Sequence, residues 1–359
     1  MTIESDLLAG PRGRRFCWEL VRATGHPQEG DSTLFWAEYH LARRRGAGVV
    51  LFGPGSDQPA PEPSAHEVAR AHDALLDAAH VDAASVDDVL RALARTADSA
   101  MWWQAPDEQD ALLADAVPEE TTARAVRAVS ATAAVRTVFT APSDPRWWTV
   151  EPERPWAAEY PDPVRPPSAT VALRDAHRAL LDEQLSEAGS ADSGEWWTTP
   201  PSALRTTTHR VGDRGPLALW AVEDHTGWER ADVAAVEVDP AARVFEVDDA
   251  DDWAVLCRRF PIDVTGTTRQ HDWGRATGRQ GAWVVPDWNA VADHFDAVHL
   301  TLRGWLRASG VAVQVDDRTA SVIAGWTPDQ AVWLRDPQPM PGPASRWEFD
   351  REHDGWVTA

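Results

Sequence analysis

Apolar residues change their spacing along this chain near residue 204, and this change limits the folds that are possible. Before residue 204, most apolar positions recur every three or four residues, as they do on one face of a helix. After it, short apolar runs alternate with turn residues, which is typical of strands, and residues 245–334 show this pattern most clearly. A mainly helical region followed by strands with few helices between them favours an α+β fold over a doubly wound parallel sheet.

The second region is predicted to form a mixed or antiparallel sheet, because parallel strands need long crossover connections and few are present. Helices are predicted there at 250–259 and 288–295. The predicted strands are residues 205–211, 217–222, 233–238, 243–247, 282–285, 297–302, 311–315, 321–324 and 331–334.

Proline density divides the chain into two parts. Residues 140–167 are rich in proline and are predicted to connect a mainly helical N-terminal region, residues 1–139, to a Trp-rich α+β domain, residues 168–359. Residues 1–15 end in P-R-G-R-R and are predicted to be a mobile or loosely docked arm. Ser64 and Ser85 each precede an acidic residue by three positions, and this capping-box pattern predicts that a helix begins at both.

The absence of lysine excludes several kinds of chemistry. All 34 basic residues are arginine, so Schiff-base, catalytic-lysine and Walker-A mechanisms are excluded. A formal net charge of −23 opposes broad binding to nucleic acid or to anionic lipid, and neither partner is expected. The first residues lack a signal pattern and no apolar run reaches membrane-spanning length, so we expect a cytoplasmic protein.

Cysteine and tryptophan content set further limits. Cys17 and Cys257 are too few for a disulfide framework or a four-thiolate zinc site, and no metal is predicted. Tryptophan occurs 20 times, with adjacent pairs at 102–103, 147–148 and 196–197. Most of these side chains are expected to fill the core, because an indole buries a large area. Stacking of a sugar or a base on some of them is the alternative.

A basic segment, residues 265–281, is predicted to be a loop that binds an anion. It contains Arg269, Arg275 and Arg279 among glycine and threonine residues. Guanidinium groups together with backbone N–H groups suit a phosphate or a carboxylate. His271 could orient such a ligand or exchange a proton with it. The alternative is an exposed loop whose arginines pair with surrounding acids.

Two further segments carry residues suited to acid–base chemistry. In the strand after residue 204, alternation places Arg205, Thr207 and His209 on one face, a pattern that also fits an exposed edge strand. Glu246 and Asp248 alternate at the end of a later strand, where paired carboxylates could act as acid and base or hold a cation. The alternative for this acidic segment is to stabilise the N-terminus of the following helix.

Residues 196–334 resemble a group of uncharacterised actinobacterial proteins that share four sequence patterns. Here the patterns are W-W-T-T-P at 196–200, V-F-E-V-D at 244–248 with Trp253, F-D-A-V-H-L-T at 295–301, and G-W-T-P-D-Q-A-V-W-L at 325–334. The resemblance implies a shared domain and indicates no particular activity.

The same part of the chain resembles, more loosely, the ADP-ribosyltransferase fold. In that fold an early strand carries an Arg or His for NAD, a second strand carries a hydroxyl, and a late strand carries a catalytic Glu. Arg205 or His209 matches the first position, residues 206–208 match the hydroxyl, and Glu246 or Asp296 takes the place of the acid. The resemblance implies catalysis by Arg205, His209 and Glu246. NAD, as a substrate, is then expected to contact Thr207 together with Arg269, His271, Arg275 and Arg279 of the basic segment.

Two functions of different classes are therefore expected. The first is an ADP-ribosyltransferase-like enzyme that binds NAD or another phosphorylated small molecule. The second is a non-catalytic interaction protein of a bacterial toxin–antitoxin or defence module, in which tryptophan pairs and helices bind a protein partner. A set of Arg, His and carboxylate side chains that meet in one place would favour the enzyme.

Overall fold

The computed structural model describes residues 2–25, 29–46, 48, 59–140, 146–153, 166–186, 194–223, 225 and 227–359. The helices are α1 (Ile3–Ala9), α2 (Pro11–Thr24), α3 (Glu29–Arg44), α4 (Ala65–Ala78), α5 (Val86–Asp98), α6 (Glu108–Asp115), α7 (Glu119–Ala131), α8 (Ala133–Phe139), α9 (Ala169–Ser186), α10 (Ala250–Arg259), α11 (Thr268–Thr277), α12 (Trp288–Ala292) and α13 (Leu302–Ala308). The strands are β1 (Trp147–Pro152), β2 (Thr206–Thr207), β3 (Arg230–Val236), β4 (Val244–Val247), β5 (Pro261–Asp263), β6 (Ala282–Pro286), β7 (Ala297–Leu300), β8 (Val313–Gln314), β9 (Thr319–Ser321), β10 (Gln330–Trp333), β11 (Ser345–Asp350) and β12 (Gly355–Thr358). Helices dominate the first part and strands the second, so the α+β prediction is confirmed.

The strands form three four-stranded sheets, which are mixed or antiparallel as predicted. The first sheet has the order β1-β3-β11-β12 and is antiparallel throughout. The second has the order β2-β10-β7-β4, in which β4 and β7 are parallel and the other pairs antiparallel. The third has the order β5-β6-β9-β8, with β6 and β9 parallel.

The N-terminal helices begin where the capping-box pattern predicts. The hydroxyl of Ser64 accepts a hydrogen bond from the backbone N–H of Glu67, and that of Ser85 accepts one from Asp88. Helix α5 then buries Leu90 and Leu93 completely on one face. None of the described helices is long and apolar enough to span a lipid bilayer.

The prediction of a mobile or loosely docked arm at residues 1–15 is wrong. Residues of this segment form α1 and the first turn of α2, and Leu7 is fully buried. The carboxylate of Asp6 is buried as well, where it accepts a hydrogen bond of 2.9 Å from Nε of Arg303 and lies 3.6 Å from Nη1 of Arg307. A buried carboxylate needs such partners, and these arginines of α13 fix α1 against the second part of the chain.

The Pro-rich connector, residues 140–167, falls largely outside the described residues. Its described part includes β1, which pairs antiparallel with β3 and which proline density did not predict. The division into residues 1–139 and 168–359 stays a prediction. Both parts contribute side chains to one buried apolar cluster, through contacts of α1 and α2 with α13 among others.

Close packing of α13 on β4 fixes the second sheet. A Cβ atom added to Gly304 would lie 2.0 Å from the carbonyl oxygen of Val247, so only glycine allows this approach. Thr301 caps the same helix by accepting a hydrogen bond of 3.0 Å from the N–H of Gly304. The strand that carries Glu246 is therefore held directly against a helix.

Candidate functional site

Four polar side chains cross the second sheet in a row, one from each strand or from its direct continuation. Glu246 belongs to β4, His299 to β7, Asp329 immediately precedes β10, and His209 lies just beyond β2. Glu246 is the register partner of His299 in the parallel pair. We call these four residues the polar row; its order across the sheet is Glu246, His299, Asp329, His209.

Hydrogen bonds join all four members of the polar row. Nδ1 of His299 lies 2.6 Å from Oε2 of Glu246, and its Nε2 lies 3.0 Å from Oδ1 of Asp329. Nδ1 of His209 lies 2.9 Å from the same Asp329 oxygen. Because both ring nitrogens of His299 face carboxylate oxygens, both must carry a proton to donate, and this imidazole is positively charged in the hydrogen-bonded row.

Burial and charge act in opposite directions on the central pair. Burial by itself lowers the pKa of His299, but hydrogen bonds and charge from Asp329 and Glu246 outweigh burial and raise that pKa to about 9. Burial by itself raises the pKa of Asp329, but hydrogen bonds from His209 and His299 and the nearby positive charge hold it well below its usual range. At neutral pH the two form a buried, hydrogen-bonded ion pair.

Asp329 is positioned by more than the two histidines. Its second oxygen, Oδ2, accepts a hydrogen bond of 2.9 Å from the hydroxyl of Thr208 and one of 2.7 Å from the backbone N–H of His209. Its backbone has φ of 58°, in the left-handed region that non-glycine residues rarely adopt. Such a conformation is retained where the surroundings determine it, and it occurs often at functional sites.

His209 presents one ring nitrogen beside an aromatic side chain. Its Nδ1 is bonded to Asp329, whereas no hydrogen bond to its Nε2 occurs among the described ranges of the chain. The ring of Trp147, from β1, lies 4.0 Å from that of His209 at 36°, and 4.9 Å from that of His299 at 85°. The side chains of His209 and Glu246 are 18% and 47% exposed, so solvent reaches both ends of the row.

The structure brings together two of the three residues predicted to be catalytic, His209 and Glu246, through His299 and Asp329. Arg205 lies on the same strand segment, with its Nη1 3.7 Å from Oε1 of Glu151. The hydroxyl of Thr207 is buried and accepts a hydrogen bond of 2.9 Å from Nε1 of Trp333. The hydroxyl of Thr207 is thus already bonded within the protein, next to the polar row.

The basic segment at 265–281 is not a loop, because most of it forms α11. Arg269 is buried, with its Nε 3.4 Å from Glu183 and its Nη2 3.4 Å from Glu195. Arg279 donates to the carbonyls of Ala282 and Arg318 at 3.0 and 2.9 Å. Arg275 is exposed in the last turn of the helix, and His271 is half-buried in its first turns. These side chains have separate surroundings and do not meet around one ligand position.

The sequence patterns did not indicate Asp329, Trp147 or His299 as residues of the site. One signal was present for His299: it interrupts the otherwise apolar run A-V-H-L of β7, whose four residues are all buried. A buried histidine in such a strand requires polar partners. Which residues those are depends on the order of strands in the sheet.

Three members of the polar row also have the chemistry to hold a metal ion. The ligand atoms of His209, His299 and Asp329 all lie within 4.8 Å of one another, and two imidazoles with one carboxylate suit a divalent transition metal. Glu246 would orient His299 from its other nitrogen. To bind a metal, both histidines must give up the protons that now bond to Asp329, so metal and proton compete for these atoms.

The stability of the protein is expected to fall as pH rises through about 9. The pKa of His299 is about 9 in the folded state and about 6.5 when unfolded. Protonated His299 therefore stabilises the folded protein fully at pH values below the unfolded pKa, by roughly 3 kcal/mol. This stabilisation is lost as the pH rises through the folded pKa. The chain has no lysine to titrate nearby. Urea unfolding at pH 7 and pH 10 measures the loss, and His299→Gln should remove most of this pH dependence; an unchanged slope would contradict the ion pair.

The polar row can bind a hydroxyl or an amine, accept a proton at one end and offer a carboxylate at the other. No known family, curated protein or solved structure matches this chain. The function is therefore inferred from the chemistry of these side chains.

Proposed function

We propose that this protein is an enzyme that moves a proton through Nε2 of His209 while it acts on NAD or another phosphorylated small molecule. One observation carries the proposal: Asp329 accepts the Nδ1 proton of His209 at 2.9 Å. This bond fixes the tautomer in which Nε2 is the basic nitrogen. A histidine whose ring is oriented by a carboxylate is a common general base.

His299 and Glu246 support this role from the other side of the row. Hydrogen bonds from His209 and His299, together with the charge of His299, lower the pKa of Asp329 and keep it ionised even though the carboxylate is buried. Asp329 can therefore stabilise His209 when that ring becomes charged. Glu246 connects the buried part of the row to solvent, because it is hydrogen-bonded to His299 at 2.6 Å and its side chain is 47% exposed. Its second oxygen is suited to accept a hydrogen bond from a substrate hydroxyl.

The substrate class is supported by the residues around His209. Trp147 offers an indole beside the ring of His209, which favours a ligand with a planar ring. Arg205 lies on the same strand segment as His209, with its Nη1 3.7 Å from Glu151, and its guanidinium is suited to an anionic group. The resemblance to ADP-ribosyltransferases matches Arg205 or His209 to the position that binds NAD, and Glu246 or Asp296 to the catalytic acid.

With NAD, the proposed reaction is transfer of the ADP-ribosyl group to an acceptor hydroxyl or to water. The bond between the ribose carbon and the nicotinamide nitrogen breaks, and nicotinamide leaves with the bonding electron pair as a neutral molecule. The acceptor oxygen bonds to that carbon and loses its proton to Nε2 of His209, which passes it to solvent. Glu246 holds a ribose hydroxyl and stabilises the positive charge that develops on the sugar.

Release of nicotinamide from NAD, measured by chromatography, tests the proposal. The wild-type protein should release nicotinamide, and NAD or ADP-ribose should raise its melting temperature. His209→Gln should slow release by about 10²–10⁴-fold, the usual contribution of a general base. His66→Gln, which changes an exposed histidine of α4, is the matched control and should retain full activity.

Absence of both turnover and a thermal shift with NAD, ADP-ribose and simple nucleotides would refute this function. So would equal rates for His209→Gln and the wild type. The non-catalytic interaction protein would then be the better proposal.

A further inference from the structure

A cavity of about 850 Å³ lies between α9, α12 and residues 195–202. No member of the polar row lines it. Its volume is in the range of small-molecule sites, roughly 300–1,000 Å³. Its apolar lining includes Leu173, Leu180, Ile262 and Val285. We call this space the α9 cavity.

Charged groups of the α9 cavity are paired with one another. Arg269 lies between two carboxylates, 3.4 Å from Glu183 and 3.4 Å from Glu195. On another wall, Nδ1 of His177 lies 3.1 Å from Oδ1 of Asp287. Four carboxylates, Asp182, Glu183, Glu195 and Asp287, line the cavity together with one guanidinium, that of Arg269. The cavity therefore disfavours an anion, and an uncharged ligand leaves the existing pairs intact.

The paired groups still offer directed hydrogen bonds. A carboxylate has about four acceptor positions, and a guanidinium has five donors in one plane. Arg269 also donates through Nη1 to the carbonyl oxygen of Trp197, and the hydroxyl of Thr268 donates to Oε1 of Glu183 at 3.4 Å. Carboxylate and guanidinium in this arrangement suit two hydroxyl groups on neighbouring carbons of a ring.

Two indoles complete the wall of the cavity. Trp197 is 38% exposed, and one face of its ring stacks on Trp196 with centroids 4.1 Å apart at 29°. Its edge packs over Gly325, where an added Cβ would lie 2.4 Å from Cδ1 of Trp197. These contacts hold the indole in place, and Trp196 covers only one of its two faces. Trp288 lines the same cavity. Rigid indoles of this kind bind the flat face of a ring.

We infer that the α9 cavity binds an uncharged ring molecule with neighbouring hydroxyl groups, such as a nucleoside or a sugar. The glutamates and Arg269 form hydrogen bonds with the hydroxyl groups, and Trp197 stacks on the face of the ring. This site is independent of the proton transfer proposed for His209.

Calorimetric titration with adenosine and with methyl β-D-glucoside tests this inference. Adenosine is expected to bind and 2′,3′-dideoxyadenosine, which lacks the hydroxyl pair, to bind at least about tenfold more weakly. Binding of the glucoside in place of adenosine would identify a sugar site. Trp197→Ala should weaken the binding by about tenfold or more, as loss of one stacked ring does. Glu195→Gln changes a half-exposed carboxylate and should weaken it without unfolding the protein.

Matched controls separate this site from general effects and from the polar row. Trp36→Ala on α3 and Glu120→Gln on α7 remove the same side chains away from the cavity and should leave the affinity unchanged. His209→Gln should also leave adenosine binding unchanged, whatever its effect on NAD. Binding of neither probe would overturn the inference. Binding that is equally strong in Glu195→Gln, Trp197→Ala and the wild type would overturn it too.

Discussion

Asp329→Ala is expected to lower the free energy of unfolding at neutral pH by about 3–5 kcal/mol. The change leaves the imidazolium of His299 buried with Glu246 as its remaining carboxylate partner in the row, and it removes the acceptor for the hydroxyl of Thr208 and for the N–H of His209. A buried charge or donor that loses its partner costs its full desolvation energy. Urea unfolding followed by tryptophan fluorescence measures the loss, and the variant should also lack NAD turnover.

Asp354→Ala is the matched control for this experiment. Asp354 has a similar left-handed backbone, with φ of 48°, but its side chain is 63% exposed and 3.5 Å from Arg91. Asp354→Ala removes an exposed carboxylate and leaves alanine at a positive φ. The variant should lose about 1 kcal/mol in free energy of unfolding, and this loss measures the backbone contribution. If both variants lose the same stability, the polar row contributes nothing beyond backbone strain.

Local patterns in the sequence predicted the elements that depend on local interactions. The capping boxes at Ser64 and Ser85 predicted the starts of α4 and α5, because each helix end is satisfied by its own side chains. The acidic run before Trp253 caps α10, as its alternative interpretation held: Asp249 accepts hydrogen bonds from two backbone N–H groups of the first turn. These signals need no knowledge of the rest of the fold.

Helix α11 was missed because its buried stripe is partly charged. Arg269, Asp272, Trp273 and Ala276 are buried at helical spacing, but two of the four are ionisable and a search for apolar periodicity does not register them. Residues 217–222 were predicted to form a strand, and this prediction is wrong. Leu217, Leu219 and Ala221 are buried, but Trp220 between them is buried as well. Burial on both sides removes the alternation that would distinguish a strand from the turn of 3-10 helix found at Leu217–Leu219.

The polar row could be predicted only in part, because its bonds join distant segments. His209 and Glu246 were found from their residue types and strand positions. Their connection depends on β10 and β7 lying between β2 and β4, and on the register that sets His299 beside Glu246. Strand order is decided by packing over the whole chain, so Asp329, 120 residues after His209, could not be paired with it from local patterns.

Trp253→Ala is expected to lower the free energy of unfolding by about 3–5 kcal/mol. The apolar segments around Trp253, Trp288 and Trp333 predict that all three are mostly buried. Trp253 and Trp333 are buried, with 1% and 4% of each residue exposed, and Trp288 is partly buried. The ring of Trp253 packs 6.1 Å from that of Trp288 and 6.3 Å from that of Trp326. Truncation leaves a cavity between these rings that a well-packed interior cannot close. Urea unfolding measures the loss.

Trp253→Phe is the control that separates packing from hydrogen bonding. Nε1 of Trp253 is buried and has no hydrogen-bond partner among the described residues. Replacement by phenylalanine therefore removes no hydrogen bond and should lower the free energy of unfolding by only about 1–2 kcal/mol. Because α10 contacts β4, which carries Glu246, the alanine variant should also disturb the polar row and slow NAD turnover, whereas the phenylalanine variant should not. An alanine variant as stable as the wild type would contradict the proposed contribution of this indole to the core.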